Sequence, residues 1–564
     1  MMRRPWALFL LASLLLPSCG RDESATPAPP VTGPAAWPQW GGNPQHTGAL
    51  DVVGQSPDRL LFELTLDPFV PQELAGAQGN LYVHYPVPLV SGDDVFVFSK
   101  TGAFTGTDTW ETQEWNWKRL RWEGDRLVER WSFKTDWKPE PSGGVLRWEP
   151  VNQAVLVGGS LYVPGFGGTV FKLDATLGSV DARVNPFGKG VDSTIFVAGP
   201  LSADGAGNVF YNALQLDPSS PWGSDARGAW LVRIASDGSS RTVHFAALTA
   251  GAPGADQACL GAFTGDPLPW PPSPRAVPQS ARCGSQRPGL NVAPAVAQDG
   301  TIYTVSRAHF NPRFGYLVAV NPDLSLRWAA SLGELFHDGC GVPASEGGVL
   351  PPNGAPGGCR TGSLSGVDPQ TNRAGSGRVI DESTASPVVA PDGSVLFGVH
   401  TRYNYSRGHL MKFSPSGVFL AAYHFGWDVT PAIDAHGGAY SILVKDNHYP
   451  GTGSYCADEQ LCGRDPEANG HAISRLRGDT LAVEWSVRSP EGTEWCINAP
   501  AVDGTGTTYA LNEDGAVYAI GADGVIRKSL ALKQPLGAAY TPLSLDATGR
   551  VYAQNAGHFF VVGR

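Results

Sequence analysis

The sequence predicts an all-β fold, an eight-bladed β-propeller of four-stranded antiparallel blades, and three observations support this prediction. A unit of four short β-type runs, clearest in residues 293–332, recurs along the chain. The composition, with 70 Gly and 47 Pro among 564 residues and only 16% charged residues, is typical of many short strands joined by turns. Asp-Gly pairs such as Asp299-Gly300 stand between consecutive runs, where they favour hairpins. A four-stranded sheet cannot bury both faces alone, and stacking such sheets around an axis buries them.

The order of the repeats predicts how the ring closes. The copies begin near residues 88, 153, 200, 293, 386, 430, 499 and 542. Because the first copies are degenerate, seven blades remain an alternative. The last copy has room for only three strands, and residues 60–66 share the pattern of residues 326–332. We therefore expect residues 60–66 to supply the missing outer strand and to close the ring.

The segment that precedes the first repeat carries a family resemblance. Residues 37–48 read Trp-Pro-Gln-Trp-Gly-Gly-Asn-Pro-Gln-His-Thr-Gly. This run resembles the opening signature of the pyrroloquinoline-quinone (PQQ)-like repeat superfamily, which includes quinoprotein dehydrogenases and the lipoprotein subunit of the outer-membrane β-barrel assembly machinery. The resemblance implies a propeller over nearly the whole mature chain but leaves enzyme and scaffold open. Members often carry a docking Trp near the end of each blade, and here only Trp131, Trp328 and Trp485 occupy such positions.

The N-terminus predicts export and lipid anchoring. Arg3 and Arg4 precede an apolar run that is too short to span a bilayer, and the run ends in Leu-Pro-Ser-Cys-Gly at residues 16–20. We expect residues 1–18 to be a signal peptide and Cys19 to be lipidated, with ordinary signal cleavage as the alternative. Residues 19–36 would form a flexible tether, and residues 37–564 the propeller. Gly20, which is not an Asp retention signal, favours the outer membrane, on its periplasmic or surface side.

Charge and cysteine usage agree with an exported protein. The net charge of −11 becomes two units more negative once Arg3 and Arg4 are removed, which argues against nucleic-acid binding. In an oxidising compartment, nearby cysteines are expected to pair, and Cys496 would be left over. The expected disulfides are Cys259–Cys283, Cys340–Cys359 and Cys456–Cys462.

The loop lengths predict one elaborated face. In a blade with strands A to D from the axis outward, the B–C and D–A loops share a face, and the two longest segments, residues 247–291 and 333–383, are D–A insertions. Three adjacent blades have similar B–C loops, which predict a basic, aromatic, His-containing docking patch for an acidic ligand or partner. The alternative is a rim whose side chains pack on neighbouring loops. The patch residues are Arg307, His309, Arg313, His400, Arg402, Tyr403, Arg407, Asp446 and His448.

A Trp-rich segment, residues 110–122, predicts either a core strand or an exposed glycan-binding surface. The sequence lacks the nucleophile elbow, phosphate-loop and zinc-protease motifs, so we predict no catalytic residue, no metal and no cofactor. The predicted function is a monomeric, membrane-tethered scaffold that binds a protein of the cell envelope. The alternatives are a PQQ- and calcium-dependent oxidoreductase and a surface glycan-binding lipoprotein.

Overall fold

The structure, a computed structural model, describes residues 35–107, 109–141, 148–263, 271–355, 358–404, 407–449, 470–495, 497–533 and 540–564. The chain is nearly all β and forms eight four-stranded antiparallel blades around one axis. The eight-bladed prediction is confirmed. None of the helices in these described stretches is long and apolar enough to cross a membrane.

The elements follow the predicted repeats. Before the first blade come β1 (Ala35–Trp37), β2 (Ala49–Leu50), β3 (Arg59–Thr65) and helix α1 (Val70–Gly76). Blade 1 consists of β4 (Leu89–Ser91), β5 (Asp94–Gly102), β6 (Gln113–Glu123) and β7 (Arg126–Lys134). Blade 2 consists of β8 (Val155–Val157), β9 (Ser160–Pro164), β10 (Val170–Asp174) and β11 (Val180–Val184), with a 3₁₀ turn at Phe166–Gly168. Blade 3 consists of β12 (Ile195–Val197), β13 (Ser202–Ala203), β14 (Val209–Gln215), β15 (Gly228–Ile234) and β16 (Ser240–His244).

The first insertion, residues 247–291, follows blade 3 and begins within helix α2 (Phe245–Leu248). It contains the hairpin β17 (Ala258–Leu260) and β18 (Ser280–Arg282). Blade 4 consists of β19 (Gln286–Pro288), β20 (Ala295–Val296), β21 (Ile302–Ala308), β22 (Gly315–Val320) and β23 (Leu326–Ser331). The second insertion, residues 333–383, contains a 3₁₀ turn (Ala344–Glu346), β24 (Val367–Asp368) and β25 (Arg373–Ala374).

The remaining blades are the most regular. Blade 5 consists of β26 (Val388–Val389), β27 (Val395–His400), β28 (Gly408–Phe413) and β29 (Phe419–Tyr423). Blade 6 consists of β30 (Ala432–His436), β31 (Ala439–Asn447), β32 (His471–Arg477) and β33 (Val483–Arg488). Blade 7 consists of β34 (Ala501–Asp503), β35 (Thr508–Leu511), β36 (Ala516–Ile520) and β37 (Ile526–Ala531). Blade 8 consists of β38 (Ser544–Leu545), β39 (Val551–Asn555) and β40 (His558–Gly563).

The ring closes as predicted. Strand β3 pairs antiparallel with β40, so the N-terminal part of the chain supplies the outer strand of blade 8. The inner strands of the blades are buried on both faces, whereas the outer strands are not. In blade 4, every residue of β21 is buried, whereas every residue of β23 is half-buried or exposed. This pattern is expected when sheets pack face to face around an axis and present one edge to solvent.

The three predicted docking tryptophans hold neighbouring blades together. Trp131, Trp328 and Trp485 each donate Nε1–H to a backbone carbonyl at the C–D turn of the next blade, at 3.1, 2.9 and 2.8 Å. Each ring lies against a turn glycine of positive φ, and a Cβ there would come within 2.8 Å of the ring. Glycine is therefore required at Gly417 both for its backbone conformation and for the close approach of Trp328.

Candidate functional site

The signature segment, residues 37–48, lies along the central channel and contacts the inner strands of successive blades. Inner strands leave backbone N–H groups facing the axis, and unpaired buried N–H groups are costly. The segment accepts these hydrogen bonds in ring order, and β2 continues it by pairing in parallel with β34 of blade 7. The bonds run from Leu156 to Pro38, Val296 to Pro44, Val389 to Gln45, Ile433 to Thr47 and Val502 to Gly48, at 2.7–2.9 Å.

Two side chains of this segment fill the axis. Trp40 is fully buried, packs against residues from blades 2, 4 and 7, and donates Nε1–H to Thr430 Oγ1 at 3.0 Å. His46 bridges the channel, with Nδ1 3.0 Å from the carbonyl of Pro387 and Nε2 3.3 Å from Ser202 Oγ. Burial lowers the pKa of His46 to about 4, so the imidazole is neutral at physiological pH. The signature is thus an internal plug.

The mouth of the channel on the elaborated face is occupied by aromatic rings. His84 stacks on Trp148 and lies 5.1 Å from the ring of Tyr540. Lys445 covers Tyr540 at 4.6 Å and forms an ion pair with Asp428 at 3.6 Å. A planar quinone would need this stacking space, and a calcium ion would need free carboxylate and carbonyl oxygens here. Among the described residues of this mouth, the rings contact one another and Lys445 is paired with Asp428.

The two insertions join into one raised surface over blades 4 and 5. The Asn372 amide of the second insertion donates to three carbonyls of the first, those of Ser273, Pro274 and Ala276, at 2.9–3.3 Å. Both predicted disulfides in this region, Cys259–Cys283 and Cys340–Cys359, are confirmed. We call this surface, with the neighbouring B–C loops, the raised face.

The Arg307 loop of the predicted patch lies inside the raised face rather than on it. Arg307 and Arg287 share the carboxylate of Asp381 at 2.6–3.0 Å, and all three side chains are almost fully buried. Burial opposes the ionisation of Asp381, but the two guanidinium groups outweigh it and hold the pKa of Asp381 below its usual value. His309 accepts a hydrogen bond from Arg287 and stacks on Trp222, and burial lowers its pKa to about 4. These groups hold the second insertion onto blade 4.

Arg313 and Tyr403 are also buried. Arg313 forms an ion pair with Asp368 at 2.5 Å and hydrogen bonds Gln370, both of the second insertion. The Tyr403 ring is 1% exposed, and burial and the charge of Asp338 raise its pKa well above the usual value. Contacts to residues 55 to 65 positions away in the chain, which no local pattern predicts, place both side chains out of reach of a partner.

The other patch residues lie nearer the surface. Arg402 is exposed. His400 is half-buried, edge-on to Trp427, and burial and surrounding arginines lower its pKa well below the usual value. The Arg407 guanidinium lies 4.7 Å over Tyr449. Buried Asp446 accepts hydrogen bonds from Tyr423, from half-buried His448 and from Ser474 at 2.5–2.7 Å.

The Trp-rich segment belongs to the core. Trp115 and Trp117 are at most 1% exposed, and their indole N–H groups bond Glu149 and Asn152 at 2.8 Å. The structure therefore favours the core interpretation, and the ring faces that a glycan would need are covered.

The predicted Cys19 anchor, the Cys456–Cys462 pair and Cys496 lie outside the described residues. Sequence analysis missed several buried charge clusters, because their members are far apart in the chain. The largest is Lys100, which pairs with Asp67, Glu73 and Glu149 at 2.5–3.3 Å. Burial opposes the charge on Lys100, but the three carboxylates raise its pKa well above the usual value.

An open cleft of about 340 Å³ lies between the insertions at the outer edge of blade 4. Its wall combines apolar Leu260 and Phe314 with the exposed ion pair between Arg373 and Glu334, 3.0 Å apart. A mixed apolar and charged groove of this kind is suited to a side chain or short segment of another protein.

Comparison with solved structures relates this propeller to known ones. A europium-containing methanol dehydrogenase aligns with a TM-score of 0.51 and 12% identity, over 92% of this chain and 89% of that chain. The likeness is one of fold. The quinohemoprotein alcohol dehydrogenase ADHIIG of Pseudomonas putida HK5 aligns with a TM-score of 0.50 and 11% identity, over 94% of this chain and 76% of that chain. BamB of Moraxella catarrhalis gives a TM-score of 0.40 and 11% identity, over 90% of this chain and 99% of that chain.

At these identities the likeness shows the β-propeller fold and nothing about activity. The sequence matches no protein-family profile and no curated protein. The function must therefore be argued from the residues themselves.

Proposed function

We propose that this PQQ-like propeller is a scaffold of the bacterial cell envelope, anchored by a lipid on Cys19 and docking a protein partner on its raised face. The observation that carries the proposal is the filled channel. The chain's own segment, with Trp40 and His46 on the axis, occupies the space where other propellers can hold a ligand. The surface that remains for recognition is the elaborated one.

The construction of the raised face supports a docking role. One disulfide closes each insertion on itself, and the Asn372 amide joins the two insertions. The buried Arg287–Asp381–Arg307 cluster fixes the second insertion to blade 4. A surface that is rigid before binding loses little conformational entropy when it binds, which favours affinity. Burying these charged side chains costs free energy of desolvation. That cost is explained if the charges hold a recognition surface in one conformation.

The exposed arginines of this face define the partner chemistry. Arg373 borders the cleft, and Arg402 is exposed on the neighbouring B–C loop. On an acidic protein, these guanidinium groups favour an acidic segment of a partner, because each can bond a carboxylate in a bidentate manner. The proposal therefore specifies an envelope protein with an acidic docking segment.

The test is capture of partners from detergent-solubilised envelopes with the lipidated protein, followed by cross-linking and mass spectrometry. The double variant R373E/R402E should capture at least 10-fold less of the partner than the wild type does, and it should keep the wild-type melting temperature. The matched control is R477E, which reverses an exposed arginine at the C–D turn of blade 6, on the opposite face. Equal loss in both variants, or cross-links confined to the opposite face, would reject the raised face as the docking site.

The oxidoreductase alternative is tested on the same preparation. Incubation with PQQ and calcium should give no dye reduction with alcohols or sugars, because His84, Trp148 and Tyr540 occupy the channel mouth. Turnover that depends on added PQQ would overturn the scaffold proposal. Likewise, export without acylation of Cys19 would remove its membrane tether.

A further inference from the structure

Three side chains with metal-binding atoms converge where the second insertion meets blade 5. Asp338 belongs to the insertion, His409 to β28, and His424 directly follows β29. Their ligand atoms all lie within 4.8 Å of one another, and among the described residues they are the group of His, Cys, Asp and Glu that meets this condition. His409 Nε2 lies 2.6 Å and His424 Nδ1 3.6 Å from the same oxygen, Asp338 Oδ2.

The surroundings hold these three side chains in place. Phe336 stacks on His409 with ring centroids 4.0 Å apart and an interplanar angle of 13°. Tyr403 lies against the Asp338 carboxylate, and the Cys340–Cys359 disulfide begins two residues after Asp338. Metal ligands are usually oriented in this way by outer hydrogen bonds and packing.

The orientation of His424 leaves its Nδ1 atom available to bind a cation. Its Nε2 faces Gly347 and donates to the backbone there, which leaves the lone pair on Nδ1. Nδ1 is buried, makes no hydrogen bond and faces the Asp338 carboxylate. His424 Nδ1 and Asp338 Oδ2, both electron-rich, face each other at 3.6 Å. A cation between them would replace their repulsion by a bond to each atom.

We propose that Asp338, His409 and His424 bind a divalent transition-metal ion, with Zn²⁺ as the ion that two imidazoles and one carboxylate fit best. Zinc binds such ligands at about 2.0–2.2 Å, which places tetrahedral ligand atoms roughly 3.4 Å apart. The 3.6 Å separation already matches, and the 2.6 Å contact opens when the ion replaces the proton between His409 and Asp338.

The proposed site has three protein ligands and an outward opening. The His424 side chain is 31% exposed, whereas those of Asp338 and His409 are at most 8% exposed. Three protein ligands leave a fourth position on zinc for water or for a donor atom from outside. Because Asp338 comes from the insertion and the histidines from blade 5, the ion would also fasten the insertion to the ring. This site is independent of the proposed docking role.

The experiment is calorimetric titration of Zn²⁺ into the full chain after chelator treatment, with Co²⁺ as a spectroscopic probe. The wild-type protein should bind one ion, and the Co²⁺ complex should show ligand-field bands of nitrogen and oxygen ligands without sulfur charge-transfer bands. H409A and H424A should each weaken binding by roughly 100-fold or more, and Y403F by roughly 10-fold, the scale of outer-contact effects.

The matched control is H436A, which removes an exposed histidine at the A–B turn of blade 6 and should leave zinc affinity unchanged. Because His424 is partly exposed, H424A should fold even where H409A does not, and it then decides the question. Absence of wild-type binding, sulfur charge-transfer bands, or equal affinity in H424A and H436A would overturn the proposal.

Discussion

Replacing Asp381 with asparagine should destabilise the propeller more than any other single change of charge on the raised face. The Asp381 carboxylate accepts two bonds from Arg287, at 2.8 and 2.6 Å, and one from Arg307, at 3.0 Å. The carboxylate is 0% exposed, and the guanidinium groups are 1% and 6% exposed. The variant D381N would therefore remove the one carboxylate that both buried guanidinium groups contact.

The expected cost is about 3–5 kcal/mol, the range found when one partner of a buried ion pair is removed. Coulomb attraction of about 4 kcal/mol per pair, at an effective dielectric constant of 20 and 4 Å, gives the same scale before desolvation is considered. Urea unfolding monitored by tryptophan fluorescence measures the change as a shift of the transition midpoint at constant slope.

The matched control is D479N, which breaks the ion pair of Asp479 with Arg477 at a similar distance of 2.7 Å but on the exposed surface. Exposed pairs contribute little, so the control should unfold at the wild-type midpoint. If D381N shifted the midpoint no further than D479N, the view that this cluster fixes the raised face would be wrong.

Three further predictions concern the plug and the insertions. The pKa of His46 is about 4 in the folded protein and about 6.5 in the unfolded chain. The contribution of His46 to the free energy of unfolding is therefore complete above pH 6.5 and falls by about 3 kcal/mol as the pH drops to 4. H46N should flatten this part of the profile of stability against pH, and an unchanged profile would contradict the prediction. W40A should lower the free energy of unfolding by about 3–5 kcal/mol, because Trp40 is fully buried. The control L177A, at an exposed leucine, should lower it by less than about 0.5 kcal/mol. Similar losses in both variants would mean that the segment in the channel contributes little to stability. The C259S/C283S variant opens a cross-link of 24 residues and should lose about 3 kcal/mol of the free energy of unfolding in thermal unfolding; an unchanged transition would refute this prediction.

The sequence predicted the ring because its repeats are local. Each blade is a run of nearby strands joined by short turns, so pattern and spacing predict the strands, although the degenerate first copies left seven and eight blades open. The closing strand at residues 60–66 was also predictable, since an incomplete last blade requires a partner. The disulfides Cys259–Cys283 and Cys340–Cys359 join neighbours in the chain and could be paired for the same reason.

The predicted docking patch failed in part because burial depends on residues that are distant in the chain. Arg307 resembles a surface arginine in its own loop, and only Asp381, 74 positions later, draws it inside. The alternative stated at the outset, a rim packed on neighbouring loops, describes Arg307, His309, Arg313 and Tyr403 correctly. Arg402 alone keeps the exposure that the patch required.

The sequence alone determined that this chain folds into a closed ring of seven or eight blades with one elaborated face, because periodicity and loop length are local properties. Only the tertiary structure decided that residues 37–48 fill the channel, that buried ion pairs attach the second insertion to the ring, and that Asp338 lies next to His409 and His424. The physical reason is that folding brings residues that are distant in the chain within hydrogen-bond distance, and the free energy of such contacts leaves no trace in the pattern of either segment.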